Sequence, residues 1–361
     1  MKLCYFGIYN PSYSRNRVII KGLKKNGVHI VECNVYSSTS YLPAVMKYSS
    51  KFVHLIKKHV ELDYDAMIIG HPGQHVVPVV KALTKKPRFL NALVSDHEVF
   101  LEREPAKGRS FKAKALHLLD KKSFEWADFI LTDTNQHINY FRHTLGLERN
   151  KFLRVFVGAD DEVFRPISVE KYDNNFTVMF WGTFIPLHGV QHIIKAAKLL
   201  EVYKDIKFEI IGSGHTFDSV KKLHERLKIT NLTFHTQWIP YQKLPNYIAE
   251  ADVCLGIFAG TPQAMRVVPN KAYEALAMRK PLLTGDSPGV REVLTNAKNC
   301  ILCQMANPEA IAESILLLRN DEKLRKKIAK NGYALFKEKL TPMAIGKGLK
   351  VYLEDRLSRR K

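Results

Sequence analysis

Cysteine is scarce in this chain. Its 361 residues include five, Cys4, Cys33, Cys254, Cys300 and Cys303, and so small and odd a number argues against a disulfide framework. Cys300 and Cys303 spell a CxxC, but structural zinc takes four ligands and no second pair exists. That segment reads as a buried strand. Long apolar runs are also missing. The longest, such as Ala66–Gly70 and Ile315–Leu318, fall far below the roughly 18 residues of a spanning helix. There is no H-x-x-H, no H-E-x-x-H and no Asp-x-Asp at a strand end, so no metal site is expected. No low-complexity segment and no short repeat appears. Acidic residues are few, 35 against 56 Lys and Arg, which leaves a net charge of +21. That excess predicts an anionic partner. Nucleic acid is disfavoured, because no aromatic-interleaved basic stripe, helix-turn-helix or RNP signature accompanies it.

What is present is globular composition, 46% hydrophobic and 25% charged, at a length that suggests two domains. Met1–Asn10 is too short and aromatic for a signal peptide and lacks a small-residue cleavage site. It reads as a first strand, and the expectation is a cytoplasmic protein. Short apolar or β-branched runs follow at Leu3–Tyr9, His29–Val35, Ala66–Ile69, Phe89–Val94, Phe129–Thr132 and Phe152–Val157. Charged helix-period segments such as Arg17–Asn26 and Ser110–Trp126 separate them, the pattern of parallel β–α–β units. After Phe164-Arg165-Pro166 the chain turns polar through Asp173-Asn174-Asn175, then the pattern restarts. Strands are expected at Thr177–Trp181, Lys207–Ile211, Leu232–His235, Val253–Ile257, Leu282–Thr284 and Ile301–Cys303. Helices fit between them at Val190–Leu200, Phe217–Leu227, Gln242–Ala249, Asn270–Ala277, Val290–Leu294 and Pro308–Leu318. The division is residues 1–168, residues 169–340, and an amphipathic helix with a basic tail over 341–361. Thr341-Pro342 starts that helix as N-cap and first helical position. Its apolar side (Ile345, Leu349, Tyr352, Leu357) suits a return to the first domain.

Open parallel sheets bind ligands beyond the carboxyl ends of their strands. Three second-domain loops there draw interest. Gly182 allows close backbone approach after a strand, and Gly189 opens a helix whose N–H groups suit a phosphate. Gly212-Ser213-Gly214 is a weaker signal, a tight turn before it is a ligand contact. The richest segment is Met265–Pro281. Pro269 suits a first helical turn, so the N–H groups of Asn270, Lys271 and Ala272 point out of the helix start beside Arg266 and Lys271. Glu274, one turn on, suits a ribose diol. A plain solvated helix with Lys271 and Glu274 paired at i,i+3 is the alternative.

The segment Glu274-Ala275-Leu276-Ala277, then Lys280-Pro281, resembles the donor-binding region of retaining glycosyltransferases of family 4. Further segments resemble that family in order and spacing. They are Gly182–Pro186 through Gly189-Val190, Ile211–Gly214, Ala127-Asp128 with Thr132–Thr134, Val157–Asp160 with Val163–Pro166, and Ser287–Glu292. The similarity spans about residues 125–335. It implies the GT-B fold: two Rossmann-like α/β domains with parallel sheets facing a central cleft. It also implies transfer from a UDP-, GDP- or ADP-sugar to a glycan or lipid-linked acceptor, retaining and without metal or other cofactor. On the donor side it points to Gly182, Thr183, His188, Gly189, Gly212, Arg266, Asn270, Lys271 and Glu274. Two positions depart from the family pattern. Arg266 stands where the first Glu of the usual pair falls, and Thr183 or His188 where a basic residue is common. The Pro269-x-Lys271-x-x-Glu274 variant does occur in sequences that look like members.

On the first domain, Asp96-His97-Glu98 follows the fourth strand, where acids and a His are expensive unless exposed or used. His97 and Glu98, then Asp96, are the catalytic candidates; capping of the next helix by Asp96 or Glu98 is the alternative. Arg15, Arg17 and His71 are the acceptor-side candidates. A sugar-nucleotide 2-epimerase of the same architecture and a non-catalytic nucleotide-sugar-binding subunit remain open. Most of the charge lies outside the donor loops. Residues 319–361 hold 14 Lys and Arg against 5 Asp and Glu. A second cluster joins Lys47, Lys51, Lys57 and Lys58 to Lys107, Arg109, Lys112, Lys114, Lys121 and Lys122. An anionic inner membrane face, bound peripherally, is the favoured partner, and a soluble acceptor with plainly solvated charge is the alternative.

Overall fold

The computed structural model describes residues 1–35, 62–170 and 174–359, together with 53, 55–57 and 59. Lys47, Lys51 and Lys58 of the basic cluster, Asp173 of the polar break, and Arg360 and Lys361 of the tail lie outside the described residues.

The short apolar runs form two parallel six-stranded sheets. The first comprises β1 (Lys2–Gly7), β2 (His29–Asn34), β3 (Ala66–Ile69), β4 (Arg88–Asn91), β5 (Phe129–Thr132) and β6 (Phe152–Arg154), in the order β2-β1-β3-β4-β5-β6. The second comprises β7 (Phe176–Trp181), β8 (Ile206–Ile211), β9 (Leu232–His235), β10 (Val253–Leu255), β11 (Leu282–Gly285) and β12 (Ile301–Cys303), ordered β12-β11-β10-β7-β8-β9. Parallel strands buried on both faces explain why the runs are continuously apolar rather than alternating. Cys300 and Cys303 belong to this interior. All five cysteines are buried and unbridged, and burial pushes the Cys303 thiol up to about 12.

The order in which successive strands join the sheet reverses between β1 and β3 in the first sheet and between β7 and β10 in the second, with all strands parallel. The loops after those strands flank the crevice where such sheets bind ligands. In the second unit they are residues 182–189 and 256–269.

The two compact units are Met1–Gly158 with Thr341–Lys361, and Ala159–Leu340. The boundary thus precedes the expected break at 168/169. Phe164 accounts for the difference: it is buried, and its ring meets Tyr241 of the second unit edge-on at 5.0 Å.

Helix Pro342–Ser358 belongs to the first unit. The Thr341 hydroxyl caps it, accepting from the Ala344 N–H at 3.3 Å. It crosses helix Ser14–Lys25 backbone to backbone, because a Cβ on Gly346 would lie 2.1 Å from the Gly22 carbonyl carbon. Asn26 Nδ2 donates to the Met343 carbonyl and Lys350 Nζ to the Asn26 carbonyl, both at 3.0 Å. Ile345, Leu349 and Leu353 join the core against β1 and β3.

Several boundaries differ from the hydrophobic pattern. β1 stops at Gly7, β4 at Asn91, β6 at Arg154 and β10 at Leu255, each inside a longer apolar run. In all four the surplus apolar residues continue into the loop as buried or, at Val94 and Phe156, half-buried side chains rather than as strand. Val290–Leu294 forms only a single 3₁₀ turn, Val290–Glu292, closed by the Ser287 hydroxyl accepting from the Val290 N–H.

Candidate functional site

The second unit brings several donor-side candidates together beyond β7 and β10. Helix Asn270–Ala277 begins without a side-chain cap. Pro269 is its N-cap rather than its first helical residue, with φ −69° and ψ 147°. Of the three N–H groups expected to be exposed, that of Ala272 is used, donating to the Pro269 carbonyl at 2.9 Å.

Lys271 is buried, and its Nζ lies 3.1 Å from His188 Nε2 and 4.7 Å from the centre of the Phe180 ring. A buried ammonium is costly. Burial accordingly pulls its pKa down to about 7, against the opposing field of Glu274. The same burial, then the nearby Lys271, holds His188 well below its ordinary value, so the imidazole is neutral at pH 7. The alternative of a plain solvated helix does not describe this buried lysine, whose head meets His188.

Glu274 is buried too, and Trp181 Nε1–H donates to its Oε2 at 2.6 Å. An indole has only a donor to offer, so it suits a buried carboxylate. Trp181 is a residue the motif reading passed over. Its signal was its place as the last residue of β7, directly before Gly182.

The glycines have separable roles. A Cβ on Gly182 would lie 3.4 Å from both Lys271 Nζ and His188 Cε1, so its bare backbone leaves open the space over the lysine. Gly212 serves packing instead, since its φ is 131° and its Cβ would fall 2.1 Å from the Gly182 carbonyl oxygen. The tight-turn alternative describes it, and through that contact it fixes where Gly182 lies. Gly189 has φ 65° and presses on the main chain of Phe258 and Ala259, joining the loops after β7 and β10. Thr183 is exposed, and Asn270 and Arg266 are half-buried. The Arg266 main chain packs beneath Gly289.

On the first unit the candidates separate. Arg15 is fully buried. Its Nε donates to Asn91 Oδ1 at 2.8 Å, and its NH1 to the carbonyls of Val155 and Phe156. It ties β4 to the chain after β6, which corrects its acceptor-side assignment. His71 is held by Asn16, which accepts from its N–H at 2.9 Å and donates to its carbonyl at 2.7 Å. Burial, then Arg15, pushes the His71 pKa down to about 4. Asn16, Asn91 and Tyr5 form a buried polar network there that no motif signalled. Arg17 stands apart, lining an open basic groove with Lys21, Lys24 and Lys25.

Asp96, His97 and Glu98 open helix Asp96–Arg103, but none of the three caps it. The Ser95 hydroxyl accepts from the Glu98 N–H at 2.9 Å, and the buried Asp120 carboxylate accepts from the N–H groups of Asp96 and His97 at 3.1 and 2.8 Å. Burial pushes Asp120 up to about 7, against those N–H bonds. The His97 ring meets His117 of helix Phe111–Trp126 edge-on at 5.1 Å. Glu98 is buried and Asp96 half-buried.

Two doubly wound parallel sheets of this kind make the two-domain GT-B fold. Over 99% of both chains the structure matches sucrose-phosphate synthase from Thermosynechococcus elongatus, with TM-score 0.79 at 14% identity. Anabaena HepE in complex with UDP-glucose matches over 98% of this chain and 100% of that one, with TM-score 0.73 at 15% identity. Residues 163–335 match the family model Glycosyl transferases group 1, a stretch that lies within the second unit. An uncharacterized glycosyltransferase of Methanocaldococcus jannaschii is 26% identical over 184 residues, 51% of this chain and 48% of that protein. The chain thus spans about half the length of the curated relatives it matches first.

Proposed function

We propose that the protein is a glycosyltransferase that takes a sugar from a nucleotide-diphosphate sugar and passes it to a glycan or lipid-linked acceptor. The observation that carries the reading is the buried Lys271 at an uncapped helix start, with the bare Gly182 backbone over it and Glu274 held one turn away by Trp181. A diphosphate would add negative charge beside this buried lysine and favour its charged form. The helix start and Lys271 then take the leaving group's charge, which is why a metal is not required by the reading. The Glu274 carboxylate, one turn along the helix, suits a ribose hydroxyl. Family 4 membership and retention of configuration follow from the motif resemblance. Among donors, a UDP-sugar is the first choice, because HepE was solved with UDP-glucose. His97, Glu98 and Asp96 stand as the first-unit catalytic candidates, and His71 and Arg17 as acceptor-side ones.

Arg266, in place of the family's first Glu, favours a second reading: a nucleotide-sugar-binding protein without turnover. One experiment separates the two. A thermal-shift panel of UDP-, GDP- and ADP-sugars should raise the unfolding temperature with one base only. Lys271→Ala and Glu274→Ala should each abolish that shift and transfer while keeping the circular dichroism spectrum. A shift without transfer to any acceptor assigns the binding-only reading. Full transfer in either variant removes the donor site from these residues.

A further inference from the structure

Helix Phe111–Trp126 of the first unit is apolar on the wrong side for a domain core. Its inward face is ordinary: Ala113, Asp120, Ser123 and Phe124 are buried. Its outward face carries Phe111, 88% exposed, and Leu118, 56% exposed, with the exposed Ala115 between them. At 100° per residue these three fall within one narrow stripe. Single exposed apolar side chains are ordinary, but an aligned aromatic and aliphatic pair on one helix is a contact surface.

Charge frames the stripe. Lys107, Arg109, Lys112, Lys114, Lys121 and Lys122 lie in and around it. The only acid between residues 105 and 124 is Asp120, which is buried and occupied with the N–H groups of Asp96 and His97. Lys107 pairs with Glu104 and Lys122 with Glu125, and Lys112 lies over the Phe100 ring. Among the described residues no ion pair engages Arg109, Lys114 or Lys121. Among them, too, no helix is long and apolar enough to cross a membrane.

We propose that this face docks on an anionic lipid bilayer, with Phe111 and Leu118 entering the headgroup–acyl boundary and the flanking cations meeting lipid phosphates and carboxylates. An amphipathic helix with bulky apolar residues on one side and lysines beside them is the form that lies in such an interface. A polyanion such as RNA accounts for the lysines and leaves Phe111 and Leu118 in water. The inference gives a place to the membrane-borne acceptor of the proposed function, and its biological meaning rests on that reading; the binding itself does not.

The test is sedimentation of the full chain with vesicles, without donor or acceptor. Vesicles of phosphatidylcholine with 30% phosphatidylglycerol should carry the protein down at 0.1 M NaCl, and pure phosphatidylcholine should not. The double variant Phe111→Ser, Leu118→Ser should lose at least tenfold in vesicle affinity, as should Lys114→Glu, Lys121→Glu. Both should keep the wild-type melting temperature and any nucleotide-sugar shift. In Phe111→Trp, anionic vesicles should blue-shift the emission, and lipid-borne doxyl groups should quench it. Failure of the wild type to bind at 0.1 M NaCl overturns the proposal. So does equal binding by the serine variant, an unshifted emission from vesicle-bound Phe111→Trp protein, or tighter retention on RNA than on vesicles. A failed donor panel with successful vesicle binding would instead count against the enzyme reading alone.

Discussion

Lys271 is the residue on which the donor reading turns. In the free protein its pKa is about 7 because burial opposes the charged form. In the unfolded chain it is near 10.4. The unfolded state therefore binds the extra proton between those values, and the lysine's contribution to stability rises as pH climbs through that window. Ligand binding has the opposite slope. A diphosphate favours the charged lysine, so above pH 7 binding must take up a proton. UDP-glucose has no ionisation of its own phosphates between pH 6.5 and 9, which makes it the suitable probe. Its affinity should fall by up to about tenfold per pH unit above 7. Calorimetry in buffers of different ionisation enthalpy should show proton uptake, and Lys271→Arg should flatten both effects. A pH-independent affinity would separate Lys271 from the phosphates. Trp181→Phe tests the neighbouring contact. It strips a donor from a buried carboxylate, a loss of about 1–3 kcal/mol, and should weaken nucleotide binding without altering that pH slope.

At the scale of elements, glycine decides where backbones meet. Gly346 and Gly22 let two first-unit helices touch main chain to main chain. A side chain at either position meets backbone, which cannot rotate away. Gly346→Val should cost about 1–3 kcal/mol or more through overpacking. That corresponds to roughly 2–4 °C of melting temperature per kcal/mol in a unit of this size. A differential scanning trace unchanged from wild type would mean the helices are not in contact. Asp120 shows a different element-level rule. The Ser95 hydroxyl and this one buried carboxylate cap the helix that follows β4, so Asp96 and Glu98, which looked like capping residues in the sequence, are not its caps.

The whole molecule is two α/β units, one of them closed by a segment from the far end of the chain. Removing residues 341–361 strips Ile345, Leu349 and Leu353 from the first unit's core and leaves the second unit, residues 159–340, whole. Calorimetry of that truncation should show the first unit's transition moved down or lost. The second unit's transition and its stabilisation by nucleotide sugar should stay. Equal loss in both would mean that the units fold as one.

Much of this was legible in the amino-acid order. Strand positions followed from apolar runs, because strands buried on both faces tolerate nothing else. The two-unit plan followed from the restart after residue 166, and the start of helix Asn270–Ala277 from the proline just before it. Those are local properties, carried by neighbours in the chain. The pairs that act across the chain were not legible. Trp181 with Glu274, Lys271 with His188, Gly22 with Gly346 and Arg15 with Asn91 are each separated by 76 or more residues. No period or motif links such positions. Arg15 looked like a cleft arginine, yet it is fully buried; burial belongs to the assembled layers. The sequence by itself determined the elements and the chemistry they carry. Only the tertiary structure decided which charges lie in water and which are paired away from it, because desolvation and hydrogen bonding depend on what the fold places alongside.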